Sequence, residues 1–181
     1  MFVCAGKIES FSFAKSIGIG MIESAINLSR ICSREIIDNI IFIGSAGSYS
    51  YDIQPFEICL STKATQIEMS YLNSNAYTPI DNQIEIDFED VPRGTKNVVV
   101  NSSNYINTNL EVSQKISKAG IVLENMEFFS VLKVAQAFDI KCYGIFCITN
   151  YCDKNAHQDF IQNHQKAKII LEDFIRKNYT L

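Results

Sequence analysis

The run Cys142-Tyr143-Gly144-Ile145-Phe146-Cys147-Ile148 constrains the fold more than any other stretch. It is short and almost wholly apolar, which suits a strand buried on both faces. Strands of that kind belong to sheets covered by helices on either side. Ile40-Ile41-Phe42-Ile43 and Val98-Val99-Val100 repeat the pattern.

Helical periodicity fills the intervals. Apolar residues at 21, 22, 25, 26, 28 and 31 predict a helix over Met21 to Ile31. Those at 128, 129, 131, 132, 134, 135, 137 and 138 predict a broad helical face over Met126 to Phe138. A terminal helix is read from Asp159 to Lys177, and another from about Thr108 to Ala119 with Thr108 or Asn107 as its cap. Strands are read at Phe2 to Ala5, Ser12 to Ile19, Ile36 to Ile43, Phe56 to Thr62 and Ile121 to Leu123. Residues 73–96 carry Pro79, Pro92 and the acidic run Asp81, Glu85, Asp87, Glu89 and Asp90. They read as a loop excursion, either a solvated face or a site for a cation or basic partner. The alternation of strand and helix gives a single α/β domain over residues 1–181.

Several classes are disfavoured. A net charge of −4 without a long basic run argues against nucleic acid or an anionic membrane as partner. No stretch approaches the roughly 20 apolar residues of a membrane span, and the front of the chain lacks the charged start of a signal peptide. A cytoplasmic protein is expected. Cys4, Cys32, Cys59, Cys142, Cys147 and Cys152 form no C-x-x-C and read as small reduced core residues. Cys147 and Cys152 are the alternative, as a redox pair or zinc ligands, but no Cys/His pair with metal-site spacing supports a metal.

The candidate chemistry gathers at the ends of strands. Gly44-Ser45-Ala46-Gly47-Ser48 follows the strand at Ile43, and its small residues let backbone approach a ligand or simply turn the chain. Asn101 to Asn107 follows Val100. Glu127 is placed at a helix start and Asn150 just past a strand's carboxyl end, where ligands bind in open α/β sheets. Gly18-Ile19-Gly20 precedes a helix, as an anion-binding start or a tight turn.

With Gly18-Ile19-Gly20, Gly44-Ser45-Ala46-Gly47, the Glu124 to Glu127 stretch and Thr149-Asn150 with Asp153 in this order, the chain resembles the nucleoside phosphorylase and nucleosidase superfamily. Within it the chain looks nearest to bacterial purine nucleosidases, the futalosine and methylthioadenosine/S-adenosylhomocysteine types. The resemblance implies a three-layer α/β/α fold around a mixed, partly barrel-like sheet. It implies that Glu127 binds the ribose hydroxyls with Met126 against the sugar, since a carboxylate accepts two hydroxyl donors well. It implies that Tyr105 stacks on the base while the Ile106 backbone bonds it. Ser45, Ala46 and Gly47 would lie against the base and Phe160 at the 5′ end of the sugar, with His157 and Asp153 in supporting roles. No cofactor is implied, and a homodimer or higher homo-oligomer is.

Two positions bear on the reaction. Many nucleosidases of the family carry Asp where this chain has Asn150. An amide delivers no proton, but its NH₂ can donate to N7 and O6 together, which predicts a 6-oxopurine base, futalosine- or inosine-like. Family phosphorylases place an Arg two residues before Gly44, where this chain has Phe42. The front of the chain also looks shortened, without a further phosphate-binding Arg. Lys7 and Arg30 match no phosphate motif. Water is therefore the expected acceptor, with Glu9 as its candidate base. A phosphate-dependent phosphorylase and a nucleoside-binding protein without chemistry are the alternatives.

Overall fold

A computed structural model describes residues 1–88, 92 and 95–180. The strands are β1 (Phe2–Cys4), β2 (Lys15–Ser16), β3 (Asn39–Ser48), β4 (Ile58–Thr65), β5 (Gln83–Glu85), β6 (Lys96–Asn101), β7 (Leu123–Glu124) and β8 (Lys141–Tyr151). The helices are α1 (Gly20–Cys32), α2 (Met69–Leu72), α3 (Leu110–Lys118), α4 (Phe128–Ala137) and α5 (Ala156–Asn178).

The apolar run at 142–148 is the centre of β8, which lies between β3, parallel, and β4, antiparallel. β4 pairs with β6, β6 with β7, and β7 returns to β3. These five strands close a ring by pairing in the order β3, β8, β4, β6, β7 and back to β3. β1 and β2 extend the sheet from β3, and β5 extends it from β4. Period-two alternation sorts the side chains. Ile40, Phe42, Cys142, Phe146 and Ile148 pack with Leu28 of α1 and Phe128, Val131 and Leu132 of α4. Ile41, Ile43, Tyr143, Ile145 and Cys147 pack with Ala167, Leu171 and Ile175 of α5, spaced four apart on one helical face. Helices thus cover both faces of the strands, and the predicted α/β/α arrangement around a mixed sheet is the observed one.

Several local expectations change. Only Lys15–Ser16 of the segment 12–19 pairs as a strand. The small-residue stretch 44–48 is no turn but the second half of β3. Asn150 lies inside β8, not past it. The cap of α3 is Asn109, whose side chain accepts from Glu111 N and Val112 N. The excursion at 73–96 contains β5, with Ile84 buried against the core. Glu89 and Asp90 of the acidic run lie outside the described residues.

One feature of β3 positions the site. On one side, β1 pairs with Ile41 and Phe42, while β7 pairs only with Gly47 and Ser48. The sheet forks between them, and residues 43–46 face no strand there. A cavity opens at this fork.

Candidate active site

The cavity has a volume of about 250 Å³. Its floor is the fork itself. Ser45 N and Ser45 Oγ both donate to Glu9 Oε1, and Asn125 Nδ2 donates to Ser45 O at 3.1 Å. The peptide groups that a strand would have paired are thus satisfied by side chains of two site segments. A tight bridge between Gly6 and Glu9 turns the chain after β1 and brings Glu9 over Ser45. Burial pushes the Glu9 carboxyl up from its ordinary value, against the lowering effect of the Ser45 bonds and of His164 and Lys168 on α5.

Glu127 enters from the start of α4. The helix begins at Phe128, two residues later than the periodicity predicts, because Asn125 Oδ1 accepts from Glu127 N and Phe128 N at 3.0 Å each. Asn125 therefore does the capping, and the Glu127 carboxylate is left for the cavity. Its Oε1 accepts from Gly20 N at 2.8 Å. Glu127 is 3% exposed, and burial together with the nearby Glu9 charge raises its pKa to about 7. A ring of bonds fixes it further. Ser130 Oγ reaches Glu127 O at 2.7 Å, Ser24 Oγ reaches Gly20 O at 2.7 Å, and the two hydroxyls meet at 2.8 Å.

The Gly18-Ile19-Gly20 stretch, read as an anion-binding start or a tight turn, meets side-chain oxygens of the protein itself. Three successive N–H groups at the start of α1 donate internally: Ile19 to Glu23 Oε2, Gly20 to Glu127 Oε1 and Met21 to Asn104 Oδ1. Gly20 has φ +80°, and a Cβ there would stand 2.9 Å from Asn104 Oδ1.

Asn150 is re-aimed by a bulge. Ala46 pairs with Ile148 but Gly47 pairs with Asn150, so Thr149 is the extra residue. Asn150 Oδ1 accepts from Thr149 Oγ1 at 2.8 Å, and Nδ2 donates to Tyr151 O at 3.0 Å. One of the two amide hydrogens is therefore held by backbone. The double donation to N7 and O6 expected from the sequence is not available in this arrangement; a single N–H is left to give. Gly47 makes room for the amide. A Cβ on it would lie 3.0 Å from Asn150 Nδ2 and 2.8 Å from Cys152 Sγ.

The structure brings Glu9, Ser45, Ala46, Gly47, Ile106, Met126, Glu127, Asn150 and Phe160 to this one cavity. Tyr105 is the exception. It is 84% exposed and does not line the cavity. The turn in which Ser103 Oγ accepts from Tyr105 N leaves its ring in solvent, while Ile106 supplies the wall. Residues not singled out as binding from sequence also line the wall, among them Ile8, Glu124 and Thr149, with His157 beside Phe160. The carboxylates are three, Glu9, Glu124 and Glu127, and no lysine or arginine is among the described lining residues. No group of three or more His, Cys, Asp or Glu among the described residues is arranged to hold a metal ion. No described helix is long and apolar enough to cross a membrane.

The model of the phosphorylase superfamily matches residues 3–177. The chain belongs to that superfamily. No curated protein matches it by sequence. Among solved structures, a mutant of the Helicobacter pylori nucleosidase MTAN with 5′-methylthioadenosine in the active site superposes with a TM-score of 0.79 at 17% identity, covering 97% of this chain and 95% of that one. Futalosine hydrolase of the same organism, also as a mutant, gives 0.79 at 16% identity over the same shares. The Streptococcus pneumoniae 5′-methylthioadenosine/S-adenosylhomocysteine nucleosidase with a transition-state inhibitor gives 0.78 at 11%, covering 96% and 95%. At these identities the superfamily member shares their fold.

Proposed function

We propose that this superfamily member hydrolyses the N-glycosidic bond of a purine nucleoside. One observation carries the choice of water over phosphate: the cavity presents three carboxylates and no lysine or arginine among its described lining residues. A phosphate carries about two negative charges and needs cations or free N–H groups. Phe42, at the position of the family arginine, is fully buried in the core. Lys7 and Arg30 are not among the lining residues.

The same carboxylates suit cleavage to a cationic sugar. As the bond to the base breaks, the ribose gains positive charge, and Glu9 and Glu127 face it. Glu9, held by Ser45, takes a proton from water as that water adds to the anomeric carbon. Glu127 accepts the 2′- and 3′-hydroxyls, with Met126 against the ring. The remaining Asn150 N–H donates to N7 as the departing base turns anionic, where a hydrogen bond is worth most. Phe160 and His157 border the 5′ end. N7 is common to 6-oxo and 6-amino purines, so Asn150 alone does not separate them.

Incubating purine nucleosides with and without phosphate tests the reading. Free base is expected in both, and release that demands phosphate overturns it. The second reading, a nucleoside-binding protein without chemistry, is favoured by the Asn150 amide, which cannot act as an acid. Thermal stabilisation by nucleosides without product over long incubation selects it. A homodimer or higher homo-oligomer belongs to the same proposal; Ile8, Ile19 and Ile106 are exposed beside the cavity, and light scattering reports the mass.

A further inference from the structure

The face of α5 that packs on the sheet has a polar interruption. Ala156, Ala167, Leu171 and Ile175 are its buried residues. Asn163 falls on the same face, seven residues after Ala156 and four before Ala167. Leucine would continue the pattern, and asparagine is a poor helix former. The side chain has a specific use. Its Nδ2 donates to Thr149 O at 2.8 Å. Thr149 is 1% exposed and is the extra residue of the β8 bulge. An extra residue loses the regular ladder of its strand, so a buried carbonyl there needs a donor from elsewhere. Asn163 supplies it.

The neighbouring peptide is also secured. Ile148 O accepts from Phe56 N at 2.7 Å, and Ile148 N donates to Glu57 O at 3.1 Å. Phe56 makes its bond with φ +74°, a left-handed conformation that is unfavourable for a bulky side chain. Lys166, three residues after Asn163, sets its Nζ 3.9 Å from the centre of the Phe56 ring. α5 therefore bears on two successive residues of β8, directly at Thr149 and through Phe56 at Ile148.

We propose that Asn163 is a positioning residue for the donor to the departing base: by holding Thr149 O it keeps the bulge that aims Asn150 at N7. This rests on the nucleosidase reading above. Asn163 does not line the cavity, so it acts through β8 and not on substrate. The Thr149 hydroxyl orients the Asn150 amide through Oδ1, while Asn163 fixes the peptide on which both side chains stand. Without the bulge, Gly47 would pair with Thr149 in place of Asn150. A slip of one residue sends the Asn150 side chain to the opposite face of the sheet.

The test is Asn163→Leu, which has a similar volume and completes the apolar face, so Tm is expected to stay within a few degrees of the wild type or to rise. Base release from inosine and adenosine is followed. kcat is expected to fall tenfold or more and KM to change less than threefold, because the bond to N7 is worth most in the transition state. In an Asn150→Ala background the same substitution is expected to change the residual single-turnover rate less than twofold, since it acts only through Asn150. Asn163→Ala, which leaves a gap instead of filling the face, is the second variant and is expected to show the same kinetic pattern. Unchanged kcat in both variants, or an equal loss with and without the Asn150 amide, overturns the assignment and leaves the nucleosidase reading standing. A wild type that releases no base from either nucleoside overturns that parent reading and this inference with it.

Discussion

At the scale of single residues, Glu127 and Gly47 make the sharpest expectations. Glu127→Gln removes a charged acceptor for two sugar hydroxyls. Hydrogen bonds to charged groups are worth about 1.5–3 kcal/mol each, so kcat/KM is expected to fall by about 100-fold or more. Steady-state kinetics on the best nucleoside checks this; an unchanged value would remove Glu127 from the sugar. Gly47→Ala sets a methyl 3.0 Å from the Asn150 amide and 2.8 Å from the Cys152 thiol. The amide has to shift, so turnover is expected to drop about tenfold or more, while Tm changes far less than for a core truncation. Glu127 and Asn150, which line the cavity, stood out in the sequence because polar residues border apolar runs there, whereas Glu9, also a lining residue, was named only through the family resemblance. Tyr105 was misleading, because aromatic character says nothing about which way a loop turns. Glu124 was seen only as part of a polar stretch. A lone acid beside a strand does not reveal its face until the partner strand is known.

Two asparagines at the starts of helices separate stability from function at the scale of elements. Asn109 caps α3 and Asn125 caps α4, and losing such a cap costs about 1 kcal/mol. Asn109→Ala is expected to lower stability by about that much with little change in activity. Asn125→Ala is expected to cost a similar amount and also to reduce turnover, because Asn125 holds Ser45 O and sets the start of the helix that carries Glu127. Denaturant melts with parallel assays distinguish the two. The long elements were readable from periodicity: β8 by its apolar run, and α1, α4 and α5 by their faces. β2 and β7, each two residues long, were placed only loosely, within the strand read at 12–19 and overlapping the one read at 121–123, since so short a segment carries no period. The bulge at Thr149 was not readable, being a relation between strands and not a property of either.

For the whole molecule, apolar patterns name no strand partners, so closure into a ring entered only through the partly barrel-like sheet that the family resemblance implies, and the fork beside β3 did not enter at all. The fold class itself was legible, because buried strands alternating with helical faces admit few layerings. The fork concentrates carboxylates, and that has a consequence for pH. The folded Glu127 pKa is about 7, raised from an ordinary 4.5. Between those values the native state binds more protons than the unfolded chain, so stability is greatest below about pH 4.5 for this group and declines as pH rises through 7. The effect is on the order of 3 kcal/mol. Glu9 and Glu124, also raised by burial, act in the same direction. A Tm series is expected to fall between about pH 5 and pH 8, more steeply than in Glu127→Gln; parallel curves would contradict the assignment.

The occupied start of α1 has a last implication, for how this scaffold can change its chemistry. Side-chain oxygens already sit on three consecutive backbone hydrogens there, and one of them belongs to the acid proposed to grip the sugar. Recruiting an inorganic oxyanion as co-substrate would mean evicting that acid from its anchor before any new cation could help. Evolution toward phosphorolysis would thus pass through an intermediate that has loosened its hold on ribose.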